Sequence, residues 1–207
     1  IDGFYLIDDL YTSDKPKVMD FCSLIKKENL LWGCSSKVNT INEEMVRTMA
    51  QAGCIQIDFG VERGSDEALK KLKKGITIEQ IKKAFALCRK YHIRTLANYL
   101  VGLPEEIEKD RRDIESLIIE TRPTLVAINK FSPYLGTELQ EQGAREDTSR
   151  ETAEFVLNGM KKYNSLLRNL QFYFTWRYIR TILRSKRKGD YIKQSWLLIR
   201  EAINQKS

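Results

Sequence analysis

The sequence predicts an α/β fold of parallel strands joined by helices, either an open doubly wound sheet or a barrel-like arrangement. Three features carry that expectation. Strand-like and helix-like segments alternate five times in the first two thirds of the chain. The links between strands are long enough to hold a helix, as right-handed crossovers between parallel neighbours require. Polar residues also gather just past the carboxyl end of each strand-like run.

The elements follow in order. GFYLI reads as the first strand, and Ser13, Asp14 and Pro16 then start a helix running through FCSLIKKENL. LLWGCSS is the second strand. Asn42 caps the helix EEMVRTMAQA, which stops at Gly53, and CIQIDFGVE is the third strand. SDEALKKL forms a short helix. Thr77 and Gln80 make a capping box for IEQIKKAFALCRKY, where Ile78, Ile81, Phe85 and Cys88 recur at helical spacing. RTLANYLV is the fourth strand, EKDRRDIESLIIE a helix ended by Pro123, and LVAINKF the fifth strand, leading into SPYLGTEL. Beyond Gly143, TAEFVLNGMKKYNSLL, FYFTWRYIRTILR and DYIKQSWLLIREAI read as three amphipathic helices.

Composition narrows the function classes. The chain has 207 residues, 42% of them hydrophobic and 30% charged, which suits a domain with a substantial core in water. No apolar run approaches a membrane span, and IDGFYLIDD carries no basic leader, so a cytoplasmic protein without a membrane partner is expected. The net charge of +7 is uneven. Residues 1–140 hold 21 basic and 21 acidic side chains, and residues 141–207 hold 14 and 7. Solvated helix faces account for such an excess more often than a polyanion-binding tail, although Arg177 and Arg180 among the aromatics of the tail leave nucleic acid as a conceivable partner. Cys22, Cys34, Cys54 and Cys88 form no CxxC or CxxxC pair and sit in apolar stretches, so they are expected as buried, reduced thiols that hold no metal. The single histidine, His92, falls between a helix and a strand and is expected to end that helix.

Ligands of parallel α/β folds bind at the carboxyl ends of the strands. Here those ends carry Asp8 and Asp9; Ser35, Ser36 and Lys37; Glu62, Arg63 and Gly64; Gly102 through Glu106; and Ser132, Pro133 and Tyr134. In the third strand Ile55, Ile57, Phe59 and Val61 share one face, and Gln56, Asp58, Gly60 and Glu62 the other. A polar inner face implies a cavity, lined by Asp58 and Asn98, because a filled barrel would carry aliphatic residues there.

Five stretches, FYLIDDLYTSD, WGCSSKVNTINEEMVRTMAQAGC, IDFGVERGSDEALKKLKKGIT, NYLVGLPEE and FSPYLGTEL, resemble the radical S-adenosylmethionine (radical SAM) superfamily in order and spacing. They are most similar to the branch often fused to a cobalamin-binding domain. The resemblance implies a partial, TIM-barrel-like core over residues 1–143 that lacks its first βα unit, with a small helical extension over residues 144–207. The family binds a 4Fe-4S cluster through a CxxxCxxC loop, chelates S-adenosylmethionine on the open iron and draws an electron from a donor to make a deoxyadenosyl radical. No such loop is present in these 207 residues, so the cluster ligands are expected outside them. The branch resemblance implies cobalamin-dependent methyl transfer or rearrangement on either a small-molecule or a macromolecular substrate.

Carried over by position, the backbone around Asp8 and Asp9 meets the methionine amino group, Lys37 stands near the carboxylate, and Glu62 approaches the ribose. Asn98, Leu100 and Gly102 flank the adenine, and Asp58 and Tyr134 complete the expected cofactor-binding set. Two residues depart from the family pattern. Glu105 replaces the usual Gly of GLPGE, and Arg63 stands where a Ser commonly follows the ribose-side Glu. Two other function classes remain: a non-catalytic polyanion-binding module using the basic tail, and an ordinary α/β barrel enzyme working by acid–base chemistry through Asp58 and Glu62.

Overall fold

A computed structural model describes residues 3–8, 11–141 and 145–164, with a few isolated positions beyond. In chain order the elements are β1 (Gly3–Leu6), α1 (Lys15–Ile25), β2 (Leu31–Ser36), α2 (Glu43–Gln51), β3 (Cys54–Glu62), α3 (Asp66–Lys71), α4 (Ile78–Lys90), β4 (Arg94–Val101), α5 (Glu108–Thr121), β5 (Leu125–Lys130), α6 (Glu138–Glu141) and α7 (Arg150–Tyr163). Two helix-like segments of the tail, FYFTWRYIRTILR and DYIKQSWLLIREAI, lie outside the described stretches, as does Asp9.

Helix starts follow local chemistry. The side chains of Asp14, Asn42, Ser65 and Thr77 accept the otherwise orphaned N–H groups of Lys17, Met45, Ala68 and Gln80, and Gln80 completes the capping box. His92, just past α4, takes a left-handed conformation at φ 55°, and Arg122 does the same past α5 at φ 49°. Both act as helix terminators where a glycine is usual.

The five strands pair in parallel in sequence order, β1-β2-β3-β4-β5. One continuous core covers a single face of this sheet. Trp32 and Cys34 of β2, Ile57, Phe59 and Val61 of β3, Ala97, Tyr99 and Val101 of β4, and Val126 and Ile128 of β5 meet Met45, Ile81, Phe85, Ile114 and Tyr163 from the helices. Phe4, Tyr11, Phe21 and Trp32 form a chain of edge-to-face contacts, with the Phe21 and Trp32 rings 5.2 Å apart. Helices on both faces would make a doubly wound sheet. Among the described residues the core helices lie on one face, as in part of a barrel wall, which favours the barrel-like alternative that the periodicity left open.

The alternation in β3 is broken once. Register shifts between Trp32 and Gly33, so Cys54 pairs with Trp32 and Gln56 with Gly33. Ile55 is the extra residue of this bulge and stays half-buried, while Cys54 takes the core position. At the other end α7 closes on β5. A Cβ on Gly159 would stand 2.5 Å from Ile128 Cδ1, so a larger residue here would have to turn the tip of that isoleucine aside. Asn164 then donates to the Val126 carbonyl and accepts from the Val126 N–H at 2.9 and 2.7 Å.

Candidate functional site at the carboxyl ends of the strands

Strand parity sends Tyr5, Ser35, Gln56, Asp58, Gly60, Asn98 and Asn129 to the face opposite the helices, as the pairing of Tyr5 with Gly33, Ser35 with Asp58, and Gly60 with Asn98 requires. This inner face is polar. The Tyr5 hydroxyl donates to Asp58 Oδ2 at 2.6 Å, and Gln56 Nε2 donates to Oδ1 at 2.9 Å. Burial first, and then the bond to Asp58, push the Tyr5 phenol well above its ordinary pKa, so it stays protonated and a donor. The amides of Asn98 and Asn129 lie 3.4 Å from the carbonyls of Phe59 and Tyr99 on the preceding strands.

At the rim, β3 ends in a kink. Its register with β4 breaks between Gly60 and Glu62, Glu62 adopts φ 68°, and the Arg63 N–H bonds back to the Val61 carbonyl at 2.9 Å. Glu62 is held by Lys74 Nζ at 2.8 Å, both partly buried. A Cβ on Gly60 would fall 2.7 Å from Glu62 Oε1, so the missing side chain leaves that carboxylate its place. Gly102 turns the chain out of β4 at φ 77°, and Glu105 sits at φ 62°. That conformation explains why a glycine is the pattern residue at position 105.

Other expected positions are less gathered. Asp8 and Lys37 are exposed at the ends of their strands, and each offers a backbone carbonyl, to Tyr11 N–H and to Thr40 N–H respectively, at 3.2 Å. Tyr134 is 78% exposed beyond β5. Leu100 is half-buried on the inner face at the end of β4, paired with Asn129.

Arg63 and Glu106 were expected among the polar residues at the strand ends, Arg63 also as a departure from the family pattern, and Arg111 was not singled out. All three form a buried network beneath the rim. Arg63 and Glu106 are each 3% exposed and pair at 2.5 Å, and Arg111 Nε reaches the other Glu106 oxygen at 2.8 Å. The signal was faint, because a charged side chain beyond a strand end normally faces water. Tyr5 was more accessible to reasoning, since its parity within GFYLI matches that of Asp58. Beside the network a cavity of about 550 Å³ opens between Arg63, Leu72, Lys73, Leu103, Pro104 and Thr137, next to the inner face rather than on it.

The cysteines are dispersed as expected: Cys22 on α1, Cys34 on β2, Cys54 on β3 and Cys88 on α4, all buried and none in a disulfide. Burial pushes the Cys22 thiol up to about 12 and raises Cys54 and Cys88 as well. Among the described residues no three or more His, Cys, Asp or Glu side chains are grouped to hold a metal ion. None of the described helices is long and apolar enough to cross a membrane.

One-sided parallel α/β layers with a polar rim at the strand ends define a barrel-type ligand-binding core. The chain belongs to the Radical SAM superfamily, whose profile matches residues 9–118, more than half of it. It is 33% identical over 140 residues to an uncharacterized methyltransferase of Pyrococcus horikoshii, covering 65% of this chain and 30% of that protein. It is 30% identical over 166 residues to the anaerobic magnesium-protoporphyrin IX monomethyl ester cyclase of Rubrivivax gelatinosus, covering 77% and 30%. The chain thus spans under a third of the length of these relatives. Two solved structures share the fold. The radical S-adenosylmethionine methyltransferase TsrM of Kitasatospora setae, with cobalamin and a 4Fe-4S cluster bound, matches at TM-score 0.60 and 20% identity over 69% of this chain and 31% of that one. Coproporphyrinogen III oxidase (HemN) of Escherichia coli matches at TM-score 0.63 and 13% identity over 79% and 40%.

Proposed function

We propose that the protein is a radical S-adenosylmethionine enzyme, that residues 1–143 form most of the cradle for the adenosyl part of that cofactor, and that residues 144–207 form a helical extension docked through α7. The observation that carries this reading is the rim itself, where a kinked β3 end presents Glu62 on a Lys74 support beside the Gly102 turn out of β4. Glu62, anchored by Lys74, accepts from the ribose hydroxyls. Asn98, Leu100 and Gly102 flank the adenine, the backbone around Asp8 and Asp9 meets the methionine amino group, and Lys37 stands near its carboxylate. Asp58 and Tyr134 bound the site below and at the mouth. S-adenosylmethionine, when bound to a reduced 4Fe-4S cluster, supplies a deoxyadenosyl radical. The cluster itself does not fit this chain's own thiols, which are buried and carried on four separate elements.

The methyltransferases among its relatives support transfer of a methyl group, with cobalamin as a second cofactor of the full-length protein. The proposal adds an external electron donor as its partner, as radical SAM chemistry requires, and the cytoplasm as its compartment. Acid–base catalysis through Asp58 and Glu62 is the weaker reading, since Tyr5 and Gln56 occupy the first carboxylate and Lys74 the second.

Anaerobic reconstitution with iron and sulfide, run on the 207-residue chain and on the full-length protein in parallel, tests the reading. The chain alone is expected to remain without the broad visible absorbance of a cluster. The full-length protein is expected to take one up and to form deoxyadenosine with dithionite and S-adenosylmethionine. A stable cluster on the 207-residue chain, lost on Cys34→Ala or Cys54→Ala, would overturn it.

A further inference from the structure

We infer that Arg63 is a positioning residue of the nucleoside rim, fixing the end of β4 through two backbone groups, and that α7 supports it through Arg111 and Glu106. The inference rests on the nucleoside reading above and adds residues which that reading does not use.

The hydrogen-bond ladder at the end of β4 is unfinished on its β3 side. The carbonyl of Val101 in β4 accepts from the Phe131 N–H on the β5 side at 2.7 Å. Successive carbonyls of a strand alternate in direction, so that of Leu100 faces β3, and there the chain has already turned away at Glu62. A backbone acceptor in this partly buried position needs a partner. Arg63 supplies it, because the same kink carries its side chain beneath the β4–α5 connection, where Nη1 donates to the Leu100 carbonyl at 2.8 Å. The N–H of Gly102, two residues on, is taken by Glu106 Oε2 at 3.1 Å, and that oxygen also accepts from Arg63. One buried ion pair therefore clamps both backbone groups that bracket the end of the strand.

The clamp continues outward. Asp110 Oδ2 stands 3.5 Å from Arg63 Nη2, so two carboxylates balance the buried cation. Arg111 donates through Nε to Glu106 Oε1, through Nη2 to Thr152 Oγ1 at 2.6 Å and through Nη1 to Glu151 at 2.9 Å, the last two on the first turn of α7. Thr152 in turn donates to Asp147, whose Cβ lies 3.1 Å from where a side chain on Gly102 would begin. Each link is geometrically specific, since a guanidinium presents its donors in a fixed plane that a lysine cannot reproduce. Arg63 touches no reacting atom. It holds the Leu100–Gly102 backbone against which the adenine edge is read.

Binding of S-adenosylhomocysteine and of its inosine counterpart to the full-length protein, by calorimetry, tests this without turnover. The wild type is expected to prefer the adenosyl ligand by about tenfold or more, as a site built to hydrogen-bond one base edge rejects another. Arg63→Ser and Arg111→Gln are expected to weaken adenosyl binding by about tenfold, the worth of one lost bond to a charged group. They are also expected to bring the ratio of the two affinities close to one, and Arg63→Lys to recover part of it. A purely structural role would lower both affinities together and leave the ratio intact. If Arg63→Ser loses its circular dichroism spectrum, Arg111→Gln decides. A wild type that binds neither ligand refutes the nucleoside reading. A wild type that discriminates, beside folded variants that discriminate equally well, refutes the positioning role alone.

Discussion

Gly64 offers a sharp test of how the rim is built. A Cβ at this position would stand 2.2 Å from the Asp113 carbonyl carbon and the Ile114 nitrogen, and 2.5 Å from the Asp113 oxygen, all backbone atoms of α5. Ordinary heavy-atom contacts lie near 3.5 Å, so Gly64→Ala forces the β3–α3 connection and α5 apart by roughly 1.3 Å. Backbone yields less readily than a side-chain tip, and overpacking of this kind costs about 1–3 kcal/mol. Gly75→Ala is the control. Gly75 has φ 69° with nothing within 4 Å of an added Cβ, so its cost is conformational only, about 1 kcal/mol. Urea unfolding followed by tryptophan fluorescence should show the larger loss for Gly64→Ala, at about the upper half of the overpacking range. Hydrogen exchange should rise along α5, because that helix carries Asp110 and Arg111. A Gly64→Ala protein no less stable than Gly75→Ala, with α5 still protected, would refute the close approach.

Phe59→Ala removes a fully buried ring whose centroid lies 5.2 Å from that of Phe85, and should lower unfolding stability by about 3–5 kcal/mol in the same urea assay. The raised thiols should make native labelling by a thiol-specific reagent at pH 8 much slower than labelling in urea; equal rates would show that Cys22, Cys54 and Cys88 are not held in the core. Asp147 is held at about 2, against an ordinary 3.8, by the Thr152 hydroxyl and then by Ser149. Its folded value lies below its unfolded one, so its stabilising effect on the start of α7 should be complete above about pH 4 and fade as pH falls towards 2. Carboxyl titration by NMR, with Asp147→Asn as the control, reads this directly; an Asp147 midpoint at 3.8 would contradict it.

Much of this architecture was legible in the order of residues, and for a common reason. Caps at Asn42 and Thr77, the stop at Gly53 and the alternation through Ile57, Phe59 and Val61 are decided by neighbours within a turn or a strand, so period and spacing report them. Family membership was legible too, because the rim motifs are contiguous in sequence. The bulge that displaces Ile55 was not, since it depends on the register of a neighbouring strand. Nor could a local pattern show that Tyr5 meets Asp58, 53 residues away, or that α7 closes on β5 across Gly159. Arg63 shows the difference most plainly. As a residue past a strand end it reads as solvated charge, and only the kink at Glu62, the turn at Gly102 and the packing of α5 and α7 convert it into a buried clamp. The sequence alone determined which faces are apolar and which strand ends are polar; only tertiary structure decided which charges pair, because pairing across elements depends on register and crossover geometry that no single segment encodes.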